Sequence, residues 1–122
     1  MIRFLHCADL HLDAPFSLRS PGEAERRRTE LRGDLSSLML YIRQQKVELC
    51  FISGDLFDGN AVTADTLSLL ERELASCPEC RFFISPGNHD FLSPDSPYNA
   101  DGWPENVHIF KHPVMESVTL AE

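Results

Sequence analysis

Positive charge is scarce in this sequence: 11 Lys and Arg stand against 19 Asp and Glu, a formal net charge of −8. That balance excludes a bare protein surface that holds nucleic acid by electrostatics alone. Long apolar runs are missing too, none approaching the roughly 20 residues that a membrane-spanning helix needs. The opening Met1-Ile2-Arg3-Phe4-Leu5-His6 lacks the apolar core and small-residue cleavage site of a secretory signal. The chain therefore reads as cytoplasmic, with no membrane partner. No internal repeat, low-complexity tract or linker interrupts it. Its 122 residues, 43% of them hydrophobic, suffice for one small domain with a real core.

Cysteine is present but not in the number or spacing of a framework. Four cysteines in a cytosolic chain read as reduced thiols. Cys7 and Cys50 fall inside apolar runs and are expected in the core. Cys77-Pro78-Glu79-Cys80 has the spacing of a zinc or redox pair, yet a structural zinc needs four ligands and no second such pair exists. A turn with incidental thiols is the favoured reading.

What the sequence does contain is three short polar clusters, each directly after a strand-like run. Asp9-Leu10-His11 follows Ile2 to Ala8, Gly54-Asp55-Leu56-Phe57-Asp58 follows Val47 to Ser53, and Gly87-Asn88-His89-Asp90 follows Arg81 to Pro86. The runs are rich in aromatic and branched residues and end on turn-formers. Between the first two, Leu31, Leu35, Leu38, Met39 and Ile42 recur at three- and four-residue spacing and predict an amphipathic helix within about residues 23–45. Before it, Asp13-Ala14-Pro15-Phe16 and Ser20-Pro21-Gly22 carry turn chemistry, and Glu23 and Glu25 suit the positive start of a helix. A second helix is expected after the second cluster, with Thr63 as N-cap, Leu67, Leu70 and Leu74 as its stripe, and an end near Ser76 ahead of Pro78.

The resulting order, βαβαβ, predicts an α/β fold with a mostly parallel sheet. In such sheets functional groups collect beyond the carboxyl ends of the strands, where all three clusters stand. After Asp90 the sequence predicts a polar, proline-rich loop from Ser93 to Pro104 that carries Tyr98 and Trp103. Two further short strands are expected at Val107-His108-Ile109-Phe110 and at Val114 to Leu120.

The clusters hold the residues of a metal site. Asp9 and His11 lie two apart in a stretch read as extended, so both side chains can face one cation. Gly54 and Gly87 each precede a ligand candidate, where a residue without Cβ lets the chain turn sharply and brings Asp55 or Asn88 inward. Any one cluster has the bland reading of an ordinary turn; their shared placement is what favours a metal site. Bound divalent cations would also reverse the local charge and let an acidic chain hold phosphate. The other histidines read as packing residues: His6 inside the first run, His108 and His112 beside the fourth. The Arg26-Arg27-Arg28 run, flanked by Glu23, Glu25 and Glu30, reads as a solvated helix face.

In order and spacing the three clusters resemble the calcineurin-like metallophosphoesterases, whose opening motifs read Asp-x-His, Gly-Asp-x-x-Asp and Gly-Asn-His-Asp or Glu. The wording of His6 to Asp13 is most similar to SbcD-type DNA repair exonucleases and their YhaO-like relatives, and the likeness runs through Pro104-Glu105-Asn106-Val107-His108-Ile109-Phe110. The resemblance implies that Asp9 and His11 bind one metal, that Asp55 bridges two, and that Asn88 binds the second through its amide oxygen. It implies manganese, a two-metal attack on a phosphodiester, His89 over the scissile phosphate, and Asp58 orienting His89. Asp90 reads as the cap of a following turn. DNA and an SMC-like ATPase are the partners so implied.

The later family histidines, one alone and then a Gly-His-x-His pair, do not occur here. The chain is accordingly expected to be the amino-terminal part of a domain whose whole is an αββα sandwich. A sheet face left bare would favour self-association. A small-molecule phosphatase or phosphodiesterase and a non-catalytic interaction domain remain alternatives.

Overall fold

The computed structural model describes residues 1–17 and 19–120. Four strands form one all-parallel sheet in chain order: β1 (Phe4–Cys7), β2 (Leu49–Ser53), β3 (Arg81–Ser85) and β4 (Val107–Ile109). Two helices cross between them, α1 (Pro21–Gln45) and α2 (Ala64–Ala75), and a single 3-10 turn at Pro97–Asn99 breaks the loop before β4. Crossovers that always step to the next strand with the same hand leave their helices on the same side of the sheet. Accordingly α1 and α2 pack together, with Ser36 donating to Glu73 (3.0 Å) and Arg32 to Thr66 (2.8 Å).

Each helix forms where its apolar spacing and caps agree. The Ser20 hydroxyl accepts from the Glu23 amide, and Pro21 opens the first turn of α1, where its missing N–H costs nothing. Leu35, Met39 and Ile42 are its buried stripe, while Arg27–Glu30 and Arg28–Glu25 ion pairs keep the basic run on the solvated face. Lys46 ends α1 in the left-handed region, its amide reaching back to the Arg43 and Ile42 carbonyls. Thr63 caps α2 through the Thr66 amide, and Leu70 and Leu74 are fully buried beneath it.

The alternation of the strands decides which face the helices cover. Leu5, Cys7, Cys50, Ile52, Phe82, Ile84, Val107 and Ile109 lie on the helix side and pack into one core. Burying a side chain such as Phe82 or Ile84 there contributes about 1.5–3 kcal/mol. Cys77 and Cys80 are buried, and the Cys80 amide closes a turn on the Cys77 carbonyl (3.0 Å). Burial, with Cys77 beside it, pushes the Cys80 thiol up to about 12, which fits incidental thiols. The Asn106 amide nitrogen holds this turn by donating to the carbonyls of Leu74, Cys77 and Cys80 at 2.9–3.1 Å.

The opposite face carries an aromatic row. Phe4, Phe51, Phe83 and Phe110, the last just past β4, succeed one another across the sheet with centroid separations of 6.1, 5.5 and 6.2 Å. His6 lies on this face, exposed and bonded to Ser53, and His108 bonds Glu116. The strand expected at Val114 to Leu120 does not form: the chain bends at residues 112–114 and runs on without a ladder. A strand exists only with a neighbour to pair with, and residues 114–120 find none among the described residues; the Glu116 contact with His108 holds the segment by a side chain instead.

Candidate metal centre

The three clusters meet at the carboxyl edge of the sheet, joined by an irregular continuation of the ladder. Beyond β1 and β2, Asp9 N–H donates to Gly54 C=O (3.0 Å), His11 to Asp55 (2.9 Å), Leu12 to Leu56 (2.9 Å) and Asp58 back to Leu12 (3.0 Å). Gly54 N–H donates to Ser85 C=O (2.8 Å), which ties in the third strand. The Asp9 to His11 stretch is not extended as the sequence suggested. Asp9, His11 and Asp55 have φ of 58°, 50° and 53°, all left-handed. Asp tolerates that region better than most residues, but strain of about 1–2 kcal/mol per non-glycine residue is normally seen only where surrounding bonds enforce it. Here the cross-loop hydrogen bonds do so.

Despite the altered backbone, Asp9 and His11 converge: Asp9 Oδ1 is 4.0 Å from His11 Nε2. The other ring nitrogen, Nδ1, is 3.1 Å from Asp58 Oδ1. An ionised carboxylate only accepts, so in the neutral ring this contact puts the proton on Nδ1 and the lone pair on Nε2, facing Asp9. Two donors so spaced can both reach one divalent cation, for which ligand distances are about 2.0–2.2 Å.

Asp58 thus pairs with His11, not with His89 as expected from the sequence. The Asp58 amide bond to Leu12 C=O sets it beside the His11 turn. His89 is bound instead to Asp55, whose Oδ1 accepts from the His89 amide (2.9 Å) and whose Oδ2 lies 3.0 Å from His89 Nδ1. These hydrogen bonds hold the Asp55 carboxyl below the usual carboxylate range, and the same Asp55 contact raises the His89 imidazole above its ordinary value. The two imidazoles stand edge to face at 5.1 Å. Donor atoms of His11, Asp55 and His89 all lie within 4.8 Å of one another, and Asn88 is exposed beside them. Oxygen and imidazole donors in this mixture fit a divalent first-row cation.

Two roles were not read from the sequence. Asp90 does not cap a following turn. It is fully buried and accepts from the amides of Gly87 (2.6 Å), Asp55 (3.2 Å) and Phe57 (3.2 Å) and from the Tyr98 hydroxyl. Burial, reinforced by Asp90, pushes the Tyr98 phenol well above its ordinary value. Asp13, read as turn chemistry, joins three elements: its carboxylate accepts from the Thr66 hydroxyl (2.7 Å), the Thr63 amide (2.9 Å) and hydroxyl (3.2 Å), and Arg32 (3.3 Å). The signal available for Asp13 was its place two residues beyond His11, in step with the other site residues; for Asp90 it was its place at the end of the third cluster.

Comparison with known proteins bears on this edge directly. Residues 2–120 match the family Metallophos, the calcineurin-like phosphoesterases. The chain belongs to that family. It is also 31% identical over 121 residues to "Uncharacterized metallophosphoesterase YhaO" of Bacillus subtilis (strain 168), covering 94% of this chain and 29% of that protein. The chain thus spans less than a third of its curated relative's length. As a member of the calcineurin-like phosphoesterases it is an α/β protein carrying the amino-terminal part of their fold. No helix among the described residues is long and apolar enough to cross a membrane.

Proposed function

We propose that this chain forms part of a two-metal phosphodiesterase that degrades DNA from its ends, with manganese as the working ion. The observation that carries the reading is the position of Asp55, whose carboxylate lies within 4.8 Å of donor atoms of both His11, itself 4.0 Å from Asp9, and His89. Asp9 and His11 would hold the first ion, Asn88 the second, and Asp55 both. When bound, the ions polarise the phosphate and activate water for in-line attack. Asp58, bonded to His11 Nδ1, would leave Nε2 of that ring free to take the first ion. His89, with 58% of its side chain exposed against 31% for His11, is the imidazole that an incoming phosphate meets first. That exposed position suits it to donate a proton to a phosphate oxygen or to the leaving group.

Calorimetric titration of the 122-residue chain with manganese is expected to show at least one ion bound, at Asp9, His11 and Asp55, with uptake lost in Asp55→Ala. Manganese-dependent cleavage of linear duplex DNA supports the nuclease reading. Hydrolysis of a chromogenic diester without cleavage of DNA would move it to a small-molecule phosphodiesterase, and absence of metal uptake would sink both. The partner in the complete cytoplasmic protein is, on this reading, an SMC-like ATPase.

The aromatic face of the sheet supports self-association of this chain. In that row Phe4 is 67% exposed and Phe51 and Phe110 are half-buried, while Phe83 is covered. Apolar area of that kind on one side of a sheet usually finds a cover. Sedimentation should show a dimer or larger species that Phe4→Glu weakens; a monodisperse wild-type monomer would count against it.

A further inference from the structure

Asp90 has no acceptor left for a metal. A carboxylate offers about four lone-pair sites, and each of its oxygens takes two donors: Oδ1 the amides of Asp55 and Gly87, Oδ2 the Phe57 amide and the Tyr98 hydroxyl. Three of these donors belong to the two turns that carry the proposed metal ligands. The fourth comes from the proline-rich loop, where the Ser96 hydroxyl accepts from the Tyr98 amide and opens the 3-10 turn. Tyr98 is itself fully buried between Phe57 (5.4 Å) and Trp103 (6.0 Å), and Trp103 is fixed by its indole N–H on Pro97 C=O (3.2 Å).

We propose that Asp90, held by Tyr98, is a positioning residue that sets the separation between the Asp55 turn and the Gly87 to His89 turn, and with it the spacing of the two metal positions. The proposal rests on the two-metal reading above. It gives the loop from Ser93 to Pro104 a role in the site: its ring cluster stands behind the carboxylate and keeps it from following either turn. Asp90→Asn places an amide NH2 where two N–H or O–H donors now point, whichever way the side chain is turned. Tyr98→Phe removes one donor and leaves the ring packing intact, so it serves even if Asp90→Asn does not fold.

Two readouts test this on the full chain. In the metal-free protein, an NMR cross-peak between the Gly87 α-protons and the Asp55 amide reports the contact of the two turns. It should weaken or vanish in Tyr98→Phe and Asp90→Asn, and persist in Ile42→Val, a core change remote from the site. In manganese titrations the same two variants should bind at least one ion about tenfold more weakly, the range typical of lost outer partners of a metal site, while Ile42→Val binds as wild type. An unchanged cross-peak in a folded Tyr98→Phe, or equal loss of affinity in Ile42→Val, would overturn the proposal. If the wild type takes up no manganese, the two-metal reading fails, and the cross-peak still decides whether Asp90 and Tyr98 set the turns.

Discussion

Gly87→Ala is expected to destabilise the protein by about 1–3 kcal/mol, the usual range for overpacking, and to lower manganese affinity by tenfold or more. A Cβ at position 87 would lie 2.4 Å from Asp55 Oδ1, 2.6 Å from the Asp55 amide nitrogen and 2.9 Å from Asp55 Cγ. Two of those atoms belong to a carboxylate held by the His89 amide and ring, and the third is backbone already bonded to Asp90. None can move without opening the contact between the second and third clusters. The requirement is one of space, since it is the approach of Asp55 that fills the place of a side chain. Gly33→Ala supplies the contrast: in the middle of α1, with nothing within 4 Å of the added methyl, it should gain about 1 kcal/mol from helix propensity. Urea unfolding of the two variants should therefore shift in opposite directions, and a Gly87→Ala protein with wild-type stability and metal uptake would contradict the packing described here.

Asp13→Ala is expected to cost about 2–3 kcal/mol, a large share of the roughly 5–15 kcal/mol that holds a small domain together. The Asp13 side chain is 7% exposed and its ion-pair partner Arg32 31% exposed, so the pair is neither fully buried nor screened as a surface pair would be. Removing the carboxylate orphans the Thr63 amide at the start of α2, leaves Thr66 without its acceptor, and strips the countercharge from an arginine whose Nε is already buried without a partner. The link between the loop after β1 and both helices goes with it. A pH dependence follows. Burial raises the Asp13 carboxyl, but the hydrogen bonds from Thr66, Thr63 and Arg32 outweigh it, and the net shift is downward from 3.8. A carboxylate with a depressed folded-state value stabilises the fold fully above its unfolded value and loses that contribution as the pH falls through the folded one. Wild-type stability should therefore decline below about pH 4 more steeply than that of Asp13→Ala, measured as urea midpoints from pH 5 to pH 2. Parallel curves would contradict the assignment.

The parts of the structure that were legible in the sequence are those with a local cause. Leu35, Met39 and Ile42 repeat with the helix period, Thr63 carries its capping oxygen, and the strand-like runs each end at the turn-formers that stop them, although Ser20, read as turn chemistry, proves to be the cap of α1. The meeting of the clusters follows from the parallel order alone. What was not legible depends on who stands across the gap. Asp58 and His89 both have a choice of partner, and only the backbone bond from Asp58 to Leu12 assigns Asp58 to His11. Asp90 draws its donors from residues 35 positions back and 8 positions ahead, a pattern no local spacing announces. Residues 114–120 have strand-forming side chains but no adjacent ladder, and propensity does not supply one. The left-handed backbone at Asp9, His11 and Asp55 is likewise imposed by hydrogen bonds between loops, and the side-chain types do not disclose it.

The order in which the residues of the edge occur along the chain has its own consequence. Asp9, His11, Asp55, Asn88 and His89 have all been passed by the end of the third cluster, yet the residue that steadies Asp90 comes eight positions after it. A chain cut between Asp90 and Tyr98 would keep every proposed ligand and the first three strands while losing the brace behind them. Counting ligands is therefore not enough to judge whether a shortened relative keeps this edge, because the turns that carry them are braced by a tyrosine that follows them in the chain and is not itself a ligand.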